Sequence, residues 1–434
     1  MIAARMIVPL ALCLALLGGL AHGAPSALIA ERAAAIEPEV IHWRRDFHRH
    51  PELGNREFRT AAIVARHLKS LGYDLRTQVA HTGVVGVLRG GRPGPVIALR
   101  ADMDALPITE LTGLPYASTA QAEWRGETVG VMHACGHDAH TAILMGVARL
   151  FADLRDQLPG TVVLIFQPAE EGVPPGETGG AWQMIQEGVL DDPAPEAILA
   201  LHVAPDPLGH FTYTPGAALA SADPLTITVR GEGVHGATPW FGVDPVVVAA
   251  QIILGLQTVV SRQTDLVASP AVVTIGALRG GNRGNVIPDE VVLEGTIRTL
   301  DAKVRGRIHQ QVRRTATAIA SAAGAQAEVR IDVQAGYPVT VNDDALTEEM
   351  VAVLRRNFGA QRVYTYPPVT GAEDFGFFAQ RIPGFYFYLG IASPDWEEVH
   401  VNHSPRFRID ERALRDGVIA MTELAFAYLQ ERAP

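Results

Sequence analysis

"GTVVLIFQPAEEG", residues 160–172, decides the fold. Val162 to Phe166 is apolar at every position, without the alternation of a strand that keeps one wet face. Pro168 stops the run, and Glu170 and Glu171 follow it directly. A short, wholly apolar segment bounded by turn residues reads as a strand buried on both faces, the kind found in α/β sheets. "GPVIALRADMD" (94–104) repeats the pattern and ends in Asp102 and Asp104. "EAILALHV" (196–203) repeats it again, carrying His202 and stopping before "APDP".

Helical periodicity fills the intervals. "IEPEVIHWRRDFHRHPELG" begins amphipathic, "REFRTAAIVARHLKSLG" has apolar helical spacing ended by Gly72, and "DAHTAILMGVARLFADL" is a further helix. Strands and helices in alternation predict an α/β catalytic domain with a central parallel or mixed sheet covered on both faces. From about Asp223 to Val333 the rhythm changes. "PLTITVRGEG", "DPVVVAAQIILGLQTVVSRQ", "PAVVTIGALRGG", "NVIPDEVVLEGTIRTL", "AKVRGRIHQQVRRTATAIASAAG" and "AQAEVRIDVQ" read as β-α-β-β-α-β, a split βαβ sandwich. "LTEEMVAVLRRNFG", "GFYFYLGI" and the last helix then resume the first pattern. The expected organisation is therefore a catalytic domain in two parts, 24–222 and 334–434, with an inserted α+β domain at 223–333.

Length and composition agree with this reading. The chain has 434 residues, 48% hydrophobic and 19% charged, enough for two cores. Its formal net charge is −11, and no run of Lys or Arg could track a phosphate backbone, so no nucleic-acid partner is expected. The N-terminus shows Arg5, an apolar run from Ile7 to Leu20, and small residues at Ala21 and Gly23. That run falls short of the roughly 20 residues of a spanning helix. Residues 1–23 thus read as a cleavable signal peptide, giving an exported periplasmic or secreted protein free of the membrane after cleavage. Cys13 leaves with that segment, so Cys135 is the one thiol of the mature chain.

Cys135 lies in "VMHACGHDAHT" (131–141), close to His137 and His140. Strand ends supply Asp102, Asp104, Glu170, Glu171 and His202; "VHVNHSP" supplies His400 and His403. Ligands of open α/β sheets bind outside the carboxyl ends of the strands, so these groups can share one crevice. Each alone has an ordinary explanation: a solvated turn, a hydrogen-bonded histidine, a buried thiol. Together, thiolate, imidazole and carboxylate form a donor set for borderline divalent metals. Five donors exceed the three of one open catalytic zinc, which points to two ions in one crevice. Adjacent residues in extended chain point opposite ways, so a bend in "AEEG" must turn both glutamates inward. One then serves as ligand and the other accepts the proton of the attacking water.

"HPELGNREFRTA", "RADMDALP", "MHACGHDAHTA", "QPAEEG", "LHV", "GVHGATP", "GNVIPDEVVLEGTIR" and "GAEDF" occur in the order found in one family. The chain resembles the metal-dependent amino-acid amidohydrolases, the branch of hippurate hydrolase and the auxin-conjugate hydrolases, with aminoacylases and glutamate carboxypeptidase as distant relatives. The resemblance implies a zinc-peptidase-like catalytic domain with an inserted lid and dimerisation domain, and a homodimer or higher homo-oligomer. It implies two divalent ions per subunit (Mn, Zn, Co or Ni) held by Cys135, His137, Glu171, His202 and His403. Glu170 is then the general base, and Asp104 orients a ligand. Asp102 stands where distant relatives have a metal-binding histidine. His235 resembles the lid histidine that reaches the attacked carbonyl, often from the partner subunit. Asn285 and Arg298 match residues that hold the substrate's carboxylate or carbonyl. The implied substrate is a small N-acyl amino acid or related amide. "GVHGATPW" places Trp240 where the branch commonly has a polar residue.

Two other readings stay open on the residues alone. Cys135 with His137 or His140 could form a thiol hydrolase, or the chain could be an exported binding protein on the same fold. The first leaves Glu170, Glu171 and His202 without a role. Loss of Glu170 would mark the second, and Glu170 is present.

Overall fold

The computed structural model describes residues 23–434; the expected signal segment lies almost wholly outside them. The strands are β1 (Asp74–Val79), β2 (Gly83–Arg89), β3 (Arg92–Asp102), β4 (Gln121–Trp124), β5 (Glu127–Gly130), β6 (Pro159–Gln167), β7 (Ala197–Pro207) and β8 (Phe211–Tyr213). There follow β9 (Gly216–Leu219), β10 (Ser221–Arg230), β11 (Ala271–Gly280), β12 (Glu290–Thr299), β13 (Gln326–Ile331), β14 (Thr340–Asn342), β15 (Val363–Thr365) and β16 (Gly384–Ala392). The helices are α1 (Gly23–Arg49), α2 (Phe58–Ser70), α3 (His137–Asp153), α4 (Gly180–Gln186), α5 (Pro245–Gln263), α6 (Ala302–Ala322), α7 (Asp344–Phe358), α8 (Gly376–Ala379) and α9 (Arg412–Glu431).

The large sheet has the order β1-β2-β6-β3-β7-β16-β8-β15. It is mixed: β6, β3, β7 and β16 run parallel at its centre, flanked by antiparallel β2 and β8. The central strands are apolar without alternation because both faces are covered. Val162, Leu164 and Phe166 of β6 pack into the core built with α1, α3 and α9. Their neighbours Val163 and Ile165 pack into the second core, with Met184 of α4 and Phe378 of α8. α3 is buried on nearly every side, from His137 through Ala148. That is why its sequence reads as apolar all round rather than as a stripe.

Two elements differ from their sequence expectation. β7 does not stop before "APDP" but runs on to Pro207. Its pairing with β3 ends at Ala200, whereas its pairing with β16 continues to Pro207, so the prolines fall where one edge of the strand is free. His202 consequently lies within a strand, just past the point where β3 leaves it. α1 extends well before Ile36, because Ile29, Ala33, Ile36 and Val40 recur at helical spacing and are all buried. Pro38 is tolerated inside it on the exposed side.

The second sheet, order β11-β12-β10-β13, is antiparallel throughout, with α5 and α6 on one face. Asp244 and Asp301 cap those helices by accepting the first free backbone N–H groups. The chain crosses between the two domains twice, and the crossings are joined: β9 pairs with β14, and Ala222 pairs with Tyr337.

Candidate metal centre

Five segments meet here: the carboxyl ends of β3 and β6, the entry to α3, β7 at His202, and the loop after β16. β3 delivers Asp102 and, two residues on, Asp104. The loop into α3 delivers Cys135 and His137 through Gly136, whose φ of 93° suits glycine and where a Cβ would overlap the Val203 side chain. After β6 the backbone turns at Ala169, φ 53°, and again at Gly172, φ 116°, so that Glu170 and Glu171 both leave the sheet toward the crevice. His403, itself at φ 68°, is held by its backbone N–H to the Ala134 carbonyl (2.8 Å). Asn402 beside it donates to the carbonyls of Cys135 (3.1 Å) and Val203 (3.3 Å), tying three segments together.

Cys135 Sγ lies 3.4 Å from His202 Nε2 and 3.2 Å from His403 Nε2. Glu171 Oε1 approaches His403 Nε2 to 3.0 Å and His137 Nε2 to 4.0 Å. Two triads of potential ligand atoms result, Cys135–His137–His202 and Cys135–Glu171–His403, and the thiol belongs to both. The histidine tautomers leave the correct nitrogens free. His202 Nδ1 donates to the Val203 carbonyl (2.8 Å), and His137 Nδ1 faces Asp104 Oδ1 (3.2 Å), so each Nε2 points inward with its lone pair available. His137 Nε2 is buried without any hydrogen-bond partner. An orphaned atom of that kind is costly unless a cation completes it. The residues present therefore fit one or two divalent ions.

The charges agree. Burial opposes ionisation of His137, but Asp102, Asp104 and Glu171 outweigh it and push its imidazolium up to about 10. A cation at Nε2 replaces that proton against the same carboxylates. Burial, then His140, holds His202 well below the usual range, in the neutral form a ligand requires. Burial, reinforced by Glu171, Glu170 and Asp102, drives the Cys135 thiol well above its usual value. An un-ionised thiol is a poor nucleophile, which argues against the thiol-hydrolase reading. His140 cannot serve as its base: Nδ1 donates to Asp102 Oδ1 (2.6 Å), and Nε2 accepts from Val203 N–H (2.9 Å). For the same reason His140 is no metal ligand, although it stands beside His137 and Asp102.

Residues 98–427 match the model of peptidase family M20/M25/M40. The chain belongs to that family. Among relatives, the N-acetyl-L-cysteine deacetylase of Bacillus subtilis is 39% identical over 383 residues, covering 88% of this chain and 86% of the relative. An IAA-amino acid hydrolase, ILR1-like 2 of Arabidopsis thaliana, is 39% identical over 406 residues, covering 92% and 88%. The crystal structure of the Bacillus subtilis YXEP protein, described as a dinuclear metal binding peptidase from the M20 family, superposes with a TM-score of 0.75 at 36% identity. That match covers 92% of this chain and 99% of the YXEP chain. As an M20 member the chain is a metal-dependent hydrolase of amide bonds.

In this M20 chain the structure brings Cys135, His137, Glu171, His202 and His403 together, with Glu170 Oε2 4.0 Å from His137 Nε2. Asp104 bridges two of the segments, since its Oδ2 accepts the Glu171 N–H (2.8 Å) while Oδ1 faces His137. Asp102 is spoken for by Arg100 Nη1 (2.6 Å) and His140; against the penalty of burial, Arg100 and the histidines hold it well below the usual carboxylate range. His400 turns to Glu398 instead. Lid residues His235 and Asn285 sit together, exposed, where Gly236 N–H meets the Asn285 carbonyl (2.9 Å). Among the described residues neither makes a hydrogen bond to the cluster. Arg298 is half-buried on β12, paired with Ala222 at the domain crossing.

Several site residues escaped the sequence reading. Arg100 is fully buried under the centre, bonded to Asp102, Gln167, Glu373 and Asp374. Glu57 accepts the Ala169 N–H (2.8 Å) and so holds the strained turn. Tyr337 donates its hydroxyl to the Glu170 carbonyl. The signal was there for Arg100, an arginine in the middle of an apolar strand, which burial permits only with carboxylate partners. Metal ligation also makes a chemical forecast. Cys135→Ser should lower the bound metal measured by elemental analysis, because the thiol belongs to both triads; unchanged metal content would remove Cys135 from the centre.

Proposed function

We propose that this M20 enzyme hydrolyses the amide bond of N-acyl amino acids or closely related small amides, with two divalent ions in the Cys135 crevice. The convergence of His137, Glu171, His202 and His403 on the Cys135 thiol, with Glu170 beside them, carries the reading. The deacetylase and the IAA-amino acid hydrolase among its relatives support an N-acyl amino acid as substrate, and the dinuclear YXEP structure supports two ions. Cys135, His137, Glu171, His202 and His403 hold the ions, which supply Lewis acidity toward the amide carbonyl and toward water.

The protein does the rest. Burial, then Glu373, Glu171 and Asp374, push the Glu170 carboxyl well above its usual range, so its ionised form is a strong proton acceptor. Glu170 takes the proton of the attacking water and returns it to the leaving nitrogen as the C–N bond breaks, releasing a carboxylic acid and an amine. Asp104 keeps His137 and Glu171 in register. Arg298 receives the substrate's free carboxylate, for which a guanidinium fork is suited.

His235 acts from the partner of a homodimer formed through the inserted domain. Its exposure supports this, as do Trp240, Phe241, Val247 and Leu254, large apolar side chains left in solvent on that domain. The chain is exported and processed at residues 23/24. Processed protein recovered from the periplasm or medium should then begin near Ala24 and sediment as a dimer; an intact N-terminus at Met1 would refute export with cleavage, and a monomer would refute the shared site.

Glu170 and Glu171 separate by experiment. Glu170→Gln should retain both ions and lose about 10²–10⁴-fold in kcat, the usual worth of a general base. Glu171→Gln should instead lower metal content, with partial rescue by added metal. Exchange of these outcomes reverses the assignment, and near-normal kcat with full metal in both variants would end the mechanism. Arg298→Ala should raise KM mainly for substrates with a free carboxylate, by about 1.5–3 kcal/mol; equal losses on carboxylate and amidated substrates would show that Arg298 does not read that group.

A further inference from the structure

The two crossings between the domains carry a connection that leads from the lid to the base. Ala222 on the outgoing crossing gives both backbone groups to Tyr337 on the return: its N–H donates to the Tyr337 carbonyl (2.9 Å), and its carbonyl accepts the Tyr337 N–H (2.8 Å). On its other side Ala222 stands in register with Arg298 of β12. With its N–H and C=O turned to Tyr337, Ala222 faces Arg298 as a non-hydrogen-bonded pair, the closer of the two antiparallel spacings. Gly336 makes the junction tight, since a Cβ there would run into the Ala222 carbonyl. The Tyr337 side chain then leaves the crossing in the direction of the catalytic domain and donates its hydroxyl to the Glu170 carbonyl.

That hydrogen bond lands on the peptide that carries both glutamates. Glu57 binds the N–H of Ala169 at the start of the turn; the 170–171 peptide is held from both ends, its N–H by Asp104 and its carbonyl by Tyr337 from the crossing. Arg298 in register with Ala222, Ala222 bonded to Tyr337, and Tyr337 bonded to the Glu170 carbonyl thus connect the arginine to the base-bearing turn.

We infer that Tyr337 is a positioning residue that couples substrate capture by Arg298 on the lid to the placement of Glu170, through the Ala222–Tyr337 crossing. Closure of the lid on a carboxylate moves β12 and Ala222 together, and Tyr337 transmits that position to the Glu170 peptide. A substrate that Arg298 does not hold leaves the turn less well placed. This rests on the roles proposed for Glu170 and Arg298, whose own failure would show in Glu170→Gln and Arg298→Ala alone.

The test is a double-mutant cycle with Tyr337→Phe, which keeps the ring and removes only the hydroxyl. On a free-carboxylate substrate, Tyr337→Phe should retain both metals and KM and lose about 3- to 10-fold in kcat, the range for one hydrogen bond expressed in a rate. In the Arg298→Ala background the same change should cost less than about twofold, because the coupling it carries is already broken. Equal losses in both backgrounds would mean that the hydroxyl merely props the turn, and would overturn the inference. So would unchanged kcat in the single variant, or a loss of bound metal that accounts for its defect.

Discussion

Two adjacent glutamates can face one crevice only if the backbone between sheet and loop refuses to stay extended, and the left-handed turn at Ala169 is where it does so. A residue with a Cβ at φ 53° costs about 1–2 kcal/mol relative to ordinary conformations. Three polar groups from three parts of the chain, Glu57, Asp104 and Tyr337, bind the peptides on either side of Ala169–Glu170: Glu57 the 168–169 N–H, Asp104 and Tyr337 the two ends of the 170–171 amide. Each is a buried bond whose loss would orphan a backbone group, so together they outweigh the strain. The turn in turn fixes Glu170 and Glu171 on one side of the metal centre. Without it the pair would split across the two faces of the sheet, and one of the two would be lost to the core.

The same region concentrates charge that the apolar sheet cannot hold unaided. Asp102, Glu373 and Asp374 all lie beneath the centre, and Arg100 is the cation that reaches all three. Its remaining partner, Gln167, donates to both Asp374 oxygens (2.8 Å each), and Tyr386 donates to Glu373 (2.8 Å). Burial, helped by Glu373 and against Arg100, pushes the Asp374 carboxyl well above its usual range, toward the neutral acid, whereas Arg100 and the histidines hold Asp102 ionised. Asp102, Asp104 and Glu171 around His137 favour a cation there and disfavour loss of its proton without replacement.

How much of this was readable in advance follows from which physical signals are local. Wholly apolar runs such as Val162–Phe166 declare burial on both faces, and acids placed directly after them declare a crevice; the α/β sheet and most of the donor set were legible on that basis. The inserted domain was legible from its change of rhythm. What resisted reading depends on contacts distant in sequence. β7 passes through "APDP" because of where β3 ends, which no local pattern encodes. Arg100 looks like an interruption of a strand until Glu373 and Asp374 arrive from far along the chain. Tyr337 and Glu57 act on backbone groups of the 169–171 turn, and hydrogen bonds to backbone leave no trace in residue type or spacing. His235 and Asn285, exposed on the inserted domain, make no hydrogen bond to the cluster among the described residues, so the roles proposed for them rest on the resemblance rather than on contacts within one chain.

The thiol shows how these constraints meet in one atom. Burial, together with the Glu171, Glu170 and Asp102 carboxylates, makes an ionised Cys135 unfavourable in the protein by itself. A protonated thiol in that position would be a weak donor facing two imidazoles and a carboxylate that are poorly served by it. A divalent cation held there would reverse the sign of these terms, since Cys135 as thiolate, neutral His202 and His403, and Glu171 are all donors a cation would favour. The arrangement is therefore unfavourable as a set of protons and favourable as a set of ligands. A coordinated thiolate would also be withdrawn from oxidants, in keeping with the burial of Cys135.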